Sequence, residues 1–389
     1  MDGNRTTGKS KTLEPKAQVA DIPEKRPRQR DWRLDLVRAI AIFEVVSVHF
    51  LLNNGFYGHA VVGGRMGAMV LLRAVSITCV PLFMLLTGYL VRGGEYSKRF
   101  YSKLGAVLYT YVAASLICVL YSVLVNGDQQ SLLSVIVGIL GFKAAPYSWY
   151  VEMYIGLFLF IPFLGTLWNA LSKRIRLALI VTVFAVSFLP NVTNIYVFED
   201  PGWWANPSSS TTYDKLLPAW WLGIYPVGYY FAGRWLAEYG LPLNKGKTAG
   251  LLVVCVLALS AFDWWRSHGA KYIWGEWNAY GSLLVAAIAI LIFWGCMLLP
   301  EKRPHIASVL EFISRYSLGA YLISWVWDQT FYPLLAEAVS SVPMRLEWYF
   351  VIVPAVFVCS IITAFLIEGV KRLVLICYRK ASAPKEHAS

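Results

Sequence analysis

Apolar segments long enough to cross a bilayer recur along nearly the whole chain, and they constrain its fold more than any other feature. A hydrocarbon core of about 30 Å takes roughly 20 residues of helix. The sequence therefore predicts an all-α, polytopic membrane helical bundle with about ten transmembrane helices, near residues 33–52, 66–91, 104–125, 147–168, 175–192, 218–238, 248–265, 278–299, 316–336 and 348–377.

Composition agrees with a membrane protein and argues against a water-soluble one. Hydrophobic residues make up 57% of the chain and charged residues 15%, with a mean hydropathy of +0.53, far from the usual balance of a soluble domain. The six cysteines fall in apolar segments or at a helix end and show no metal-type spacing, so they are interpreted as small core residues and no metal is expected.

The net charge of +12 is distributed as membrane topology predicts, so no nucleic-acid partner is expected. Basic residues concentrate in alternate loops, and cytoplasmic loops are the ones enriched in Lys and Arg. This distribution predicts a multi-pass protein of the cell membrane with both termini in the cytoplasm. The basic residues on the predicted cytoplasmic side are Arg92, Lys98, Arg99, Lys103, Lys173, Arg174, Arg176, Lys245, Lys247, Lys302, Arg303, Lys371, Arg372, Arg379 and Lys380.

Polar segments flank the predicted membrane domain at 32–377. Residues 1–31 have scarcely an apolar cluster, which predicts a disordered, basic cytoplasmic tail, and residues 378–389 form a second cytoplasmic tail. The apolar piece at 131–142 is too short to span and is interpreted as a re-entrant or interfacial helix.

The first predicted span carries more ionisable residues than an apolar helix usually tolerates, which is a functional hypothesis by default. Arg38 and His49 are eleven residues apart, so at about 100° per residue they lie within roughly 20° of one another, about 16 Å apart along the axis. Asp35 is spaced to pair with Arg38. Glu44 points elsewhere and is expected to be paired structurally.

A purely structural explanation of these residues stays open at this point. Asp35 and Arg38 would then form an ion pair, and His49 would only bond a neighbouring helix. His49 is nevertheless the one histidine placed within a span, and imidazole is the side chain whose ordinary pKa lies near neutrality. It is therefore the candidate general base.

The same segment resembles the first-helix signature of the acyltransferase 3 family of membrane proteins, in which Arg and His are separated by ten residues. Further pieces occur in the family's order: Val80-Pro81-Leu82-Phe83, Lys98-Arg99-Phe100-Tyr101, Ser148-Trp149-Tyr150, Ile161-Pro162-Phe163-Leu164 and Ser317-Leu318-Gly319-Ala320-Tyr321. The resemblance covers about residues 31–377. Each apolar piece is weakly specific, and their order together with the Arg and His spacing makes the match stronger.

The resemblance implies a ten-helix O-acyltransferase, most simply an O-acetyltransferase. It would move an acyl group from acetyl-CoA or another acyl-CoA onto a hydroxyl of a surface glycan or exopolysaccharide, with membrane lipid around it. The chain departs from the family's pattern at two places. Many relatives have His where this chain has Ser324, and the basic turn lacks the paired arginines expected there.

Site roles are assigned from the chemistry of thioester-to-alcohol transfer, which needs a base and positive charge near the donor. His49 is the base, and Arg38 polarises the thioester or binds donor phosphate. The coenzyme phosphates are assigned to Lys98, Arg99 and Lys103, although topology alone also explains charges there. Glu152 is a candidate either to orient His49 or to bind acceptor hydroxyls, and the remaining candidates for acceptor binding are Tyr150, Tyr321 and Asp328.

Two other classes of protein stay open beside the enzyme. One is a structural membrane partner that has lost activity, which agrees with the Ser324 departure. A transporter or flippase also places polar stripes inside a helical bundle, but no internal repeat is found. Trp203, Trp204, Trp220 and Trp221 form either an interfacial belt or a platform for sugar rings, and the sequence does not separate the two.

Overall fold

The computed structural model describes residues 30–91 and 96–381, with side chains to residue 373. Residues 1–29 of the predicted tail at 1–31, residues 382–389 of the tail at 378–389, and Arg92 lie outside these residues. The described chain folds into α-helices α1 to α15, in order Trp32–Asn53, Gly63–Ser76, Cys79–Leu90, Lys98–Tyr101, Leu104–Leu124, Leu132–Leu140, Trp149–Ala170, Lys173–Ser187, Pro190–Thr193, Pro201–Ala205, Tyr225–Glu238, Lys245–Ser267, Leu283–Met297, Ala307–Ala338 and Tyr349–Ala381.

The prediction of an all-α membrane bundle is confirmed. Within the described ranges, six helical segments are long and apolar enough to cross a membrane, judged by length and composition. The other four predicted spans fall on α1, α8, α11 and α14. Of these, α8 and α11 have 15 and 14 residues, shorter than a usual span, and α1 and α14 carry the polar side chains described below. The count of ten stays a prediction.

The predicted span 66–91 is broken between α2 and α3. Pro81 has no N–H to donate to the carbonyl of residue 77, so a continuous helix would lose that bond. Thr78 lies at the break, and its hydroxyl contacts the Val75 carbonyl oxygen and Glu44 Oε2, each at 2.8 Å. The apolar pattern does not predict this break, because the residues on both sides of it are hydrophobic.

Other boundaries also differ from the predicted ones. α14 begins at Ala307 rather than near residue 316, and within this added length Glu311 lies 3.2 and 3.4 Å from Arg303 and Arg315. α11 begins at Tyr225 rather than near residue 218, and α15 continues to Ala381. The short piece at 131–142 contains the nine-residue α6.

Helix α3 crosses α11 at very short range, which requires two glycines. A Cβ added at Gly88 would lie 2.0 Å from the Tyr230 carbonyl oxygen, and one at Gly233 would lie 2.2 Å from the Leu85 carbonyl oxygen. Backbone atoms cannot move aside as a flexible side chain can. The crossing fixes α3 beside α1, with which it shares the largest buried apolar cluster.

Candidate active site

Helix α1 presents both of its candidate catalytic residues to α14. Near the start of α1, Arg38 Nη1 donates to Ser314 Oγ at 2.6 Å and lies 3.7 Å from Asp35 Oδ1. Near the end of α1, His49 contacts Ser324 and Asp328 of the same partner helix. The spacing-based expectation of a shared face for Arg38 and His49 agrees with this geometry.

The imidazole of His49 lies against a buried carboxylate. His49 Nδ1 is 3.3 Å from Asp328 Oδ2, and the Asp328 side chain is fully buried. A second acceptor, Ser324 Oγ, lies 3.3 Å from the same nitrogen. The sequence identified Asp328 as an acceptor-binding candidate, and the structure places it as the partner of His49.

The hydrogen bonds around His49 select one tautomer. Ser324 Oγ donates to the Tyr321 carbonyl oxygen at 2.9 Å, so it offers a lone pair to Nδ1, as the Asp328 carboxylate does. Two acceptors on one ring nitrogen require that this nitrogen carries the proton. In the neutral ring Nε2 then has a free lone pair and is able to take up a proton.

Tyr147 completes this arrangement and was missed by the sequence analysis. Its ring stacks on His49 with centroids 3.7 Å apart, and its hydroxyl donates to Asp328 Oδ2 at 2.8 Å. The Tyr147 hydroxyl also accepts a bond from Asn53 Nδ2 at 3.2 Å, and its carbonyl oxygen accepts one from Tyr321. The only available signal was its position just before Ser148-Trp149-Tyr150.

A cavity of about 230 Å³ begins beside Arg38 and extends to Val45, one helical turn before His49. It is enclosed by α1, α3, α5, α7 and α14. The lining is mostly apolar, and Arg38 is its one basic side chain. Tyr321 closes the far end, with its ring centroid 6.4 Å from that of His49. On α1 the lining therefore runs from Arg38 to Val45, and His49 lies one helical turn beyond it, outside the lining.

The structure brings some of the other predicted residues to this cavity and leaves others outside it. Tyr150 and Tyr321 line it, with ring centroids 5.8 Å apart in an edge contact. Glu152 is exposed on α7, and no described hydrogen bond or ion pair joins it to His49. The basic candidates lie on exposed positions at the α4 turn and the start of α5: Lys98, Arg99 and Lys103.

Glu44 faces away from the Arg38 cavity, as its position on the helix predicted. Its carboxylate accepts a bond from Thr78 and lines a separate space between α1, α2 and α15.

The aromatic residues of the long 193–217 loop and the following segment have different environments. Trp203 is buried, and the guanidinium of Arg266 lies 4.7 Å from its ring centroid. It is therefore not available to stack on a sugar. Trp204, Trp220 and Trp221 are exposed.

Comparison with known families decides the class of protein. The family model described as an acyltransferase domain, acyltransferase 3, matches residues 31–365. The chain belongs to the acyltransferase 3 family. The match covers α1 to α14, the first part of α15 and every candidate site residue above, and it favours the enzyme over the transporter alternative. Comparison with curated proteins and with solved structures gave no match.

The acyltransferase shows no group of three or more His, Cys, Asp or Glu side chains that could hold a metal ion in its described part.

Proposed function

We propose that this acyltransferase transfers an acyl group, most simply acetyl, from cytoplasmic acyl-CoA to a hydroxyl of a surface glycan or exopolysaccharide. The observation that carries the proposal is the contact of His49 Nδ1 with buried Asp328, which leaves Nε2 as a base one helical turn beyond Val45, where the lining of the Arg38 cavity ends on α1. Asp328 Oδ1 has no hydrogen-bond partner among the described residues. Such buried, unsatisfied atoms are rare and often functional.

In the proposed reaction, His49 Nε2 takes the proton of the acceptor hydroxyl as its oxygen attacks the thioester carbonyl carbon. Asp328 stabilises the resulting imidazolium through Nδ1. The carbon–sulfur bond then breaks, and the protonated Nε2 returns the proton to the leaving thiolate. Both atoms and charge balance, and His49 ends as it began.

The donor is proposed to enter from the Arg38 end. Ligand pockets for whole drug-sized molecules measure about 300–1,000 Å³, so the cavity of about 230 Å³ suits the acyl thioester end of the coenzyme rather than all of it. The nucleotide would then stay outside. Lys98, Arg99 and Lys103 lie after the end of α3, whose last residues line the cavity, and they would bind its phosphates.

This assignment predicts a selective effect on donor affinity. Changing Lys98, Arg99 and Lys103 together to Gln should raise the KM for acyl-CoA about tenfold, which corresponds to about 1.4 kcal/mol of lost binding, and leave kcat nearly unchanged. The matched control removes three charges elsewhere at the same predicted face: Arg174→Gln, Lys245→Gln and Lys247→Gln. An equal rise in both variants would show a general charge effect and contradict phosphate binding.

The predicted topology is tested with reporter fusions. A reporter placed after Lys380 should report from the cytoplasm, because the basic loops alternate along the chain. One placed after Gly127, between α5 and α6, should report from the outside. An external signal after Lys380 would contradict the proposed orientation and the cytoplasmic donor with it.

The acceptor class is tested by mass analysis of surface polysaccharide from cells with and without the gene. Loss of an acyl mass from the glycan, with free thiol released from acyl-CoA by the purified protein, is the expected result. Unchanged glycan in cells that make active protein would contradict the proposed acceptor.

A further inference from the structure

A second cavity, separate from His49, lies between the start of α5, the start of α14 and the end of α15. It measures about 300 Å³. Its lining contains three basic side chains and one carboxylate: Arg315, Lys371, Arg372 and Glu368. Three positive charges against one negative charge leave a surplus of two positive charges in the lining.

The positive charge of this cavity is only partly compensated by its own carboxylate. Glu368 lies 3.3 Å from Lys371 and 4.0 Å from Arg372, and Arg315 lies 3.4 Å from Glu311, a carboxylate that it shares with Arg303. The side chains of Arg315 and Arg372 are 51% and 56% exposed, and ion pairs of such exposed groups are weak. Guanidinium groups present several donors in a plane and suit phosphate oxygens, so the cavity favours a phosphate-bearing ligand.

The cavity opens beside two exposed apolar stripes. Leu108, Val112 and Leu116 follow one another at four-residue spacing along α5, and Val358, Ile362 and Leu366 do so along α15. Residues four apart share a helix face. Both stripes lie in helical segments that are long and apolar enough to cross a membrane, so a phosphate bound in the cavity has apolar surface next to it.

We propose that this cavity binds the headgroup of an anionic phospholipid, whose acyl chains lie along the α5 and α15 stripes. Basic pockets between transmembrane helices on the cytoplasmic side are suited to such headgroups. The apolar stripes favour a lipid over a free phosphate or a nucleotide, because neither of these has acyl chains to pack against them. The site is independent of the proposed acyl-transfer reaction.

The proposed lipid site also shares lining residues with the Arg38 cavity, so lipid binding is expected to affect that cavity. Val107 of α5 and Leu318 of α14 line both cavities. At the floor of the basic cavity α14 and α15 pack closely, since a Cβ on Gly319 would lie 2.9 Å from Ala364 Cβ. A headgroup that holds these three helices together would therefore also fix one wall of the Arg38 cavity.

The test measures binding of phosphatidylglycerol to the full-length protein in detergent, with phosphatidylcholine of the same chains as the neutral lipid. The wild type should bind phosphatidylglycerol more tightly, and the preference should weaken as salt is added. Changing Arg315, Lys371 and Arg372 together to Gln should raise the apparent Kd for phosphatidylglycerol at least about tenfold and leave phosphatidylcholine binding unchanged.

Two controls make the result decisive. The triple variant of Arg174, Lys245 and Lys247 removes the same charge from the same predicted face and should keep the phosphatidylglycerol preference. If the cavity triple variant does not fold, the single variants Arg315→Gln and Arg372→Gln, at exposed positions, should each raise the Kd severalfold. Equal losses in cavity and control variants would overturn the proposal, as would inorganic phosphate or coenzyme A competing fully with the lipid.

Discussion

Replacing His49 with alanine should lower acyl-transfer turnover by about 10²-fold or more, the usual contribution of a positioned proton-transfer group. The reason lies in the hydrogen bonds of the ring. Nδ1 faces Asp328 and Ser324, so Nε2 is left to accept the proton of the acceptor hydroxyl. The measurement is turnover by purified protein in vesicles with saturating acyl-CoA, at matched amounts of folded protein.

Two further variants separate catalysis from folding. His49 is buried and stacked on Tyr147, so alanine leaves a cavity that costs stability, whereas His49→Gln keeps most of the side-chain volume and should lose similar activity. His59→Ala, at an exposed position, should retain normal turnover. Near-normal turnover in folded His49→Gln would remove the base assignment and return His49 to a structural role.

The sequence predicted the membrane class because apolar length is a local property of each segment. It did not predict the break between α2 and α3, since both sides are apolar and the break depends on Pro81 and Thr78. It also placed the start of α14 too late. Charged residues such as Glu311 and Arg315 are typical of a loop between spans, yet here they pair with one another at i and i+4 within the helix.

The site was predictable to the extent that it lies on one helix. The spacing of Arg38 and His49 follows from helical geometry, and both residues do face α14. The contact of His49 with Asp328 joins residues 279 positions apart. No periodicity within one segment encodes such a contact. Tyr147 was missed for the same reason, because it reaches His49 from the segment before α7.

Asp328→Asn should lower kcat by about 10²-fold and leave the KM for acyl-CoA nearly unchanged. Asparagine keeps the shape of the side chain but loses the negative charge that stabilises the imidazolium of His49. It also allows the amide NH₂ to face Nδ1, which favours the tautomer whose Nε2 is already protonated. Because Arg38 and the other lining residues of its cavity are untouched, donor binding is expected to persist.

Ser324→Ala is the matched control for Asp328→Asn, because Ser324 Oγ is the other acceptor at 3.3 Å from His49 Nδ1. Its loss removes a neutral hydrogen bond and leaves the carboxylate in place, so kcat should fall by less than about tenfold. If the proposed role of Asp328 is right, the two variants separate by an order of magnitude in kcat at equal KM. Equal effects would indicate that Asp328 only holds Tyr147 and α14 in position, and an increase in acceptor KM alone would return it to acceptor binding.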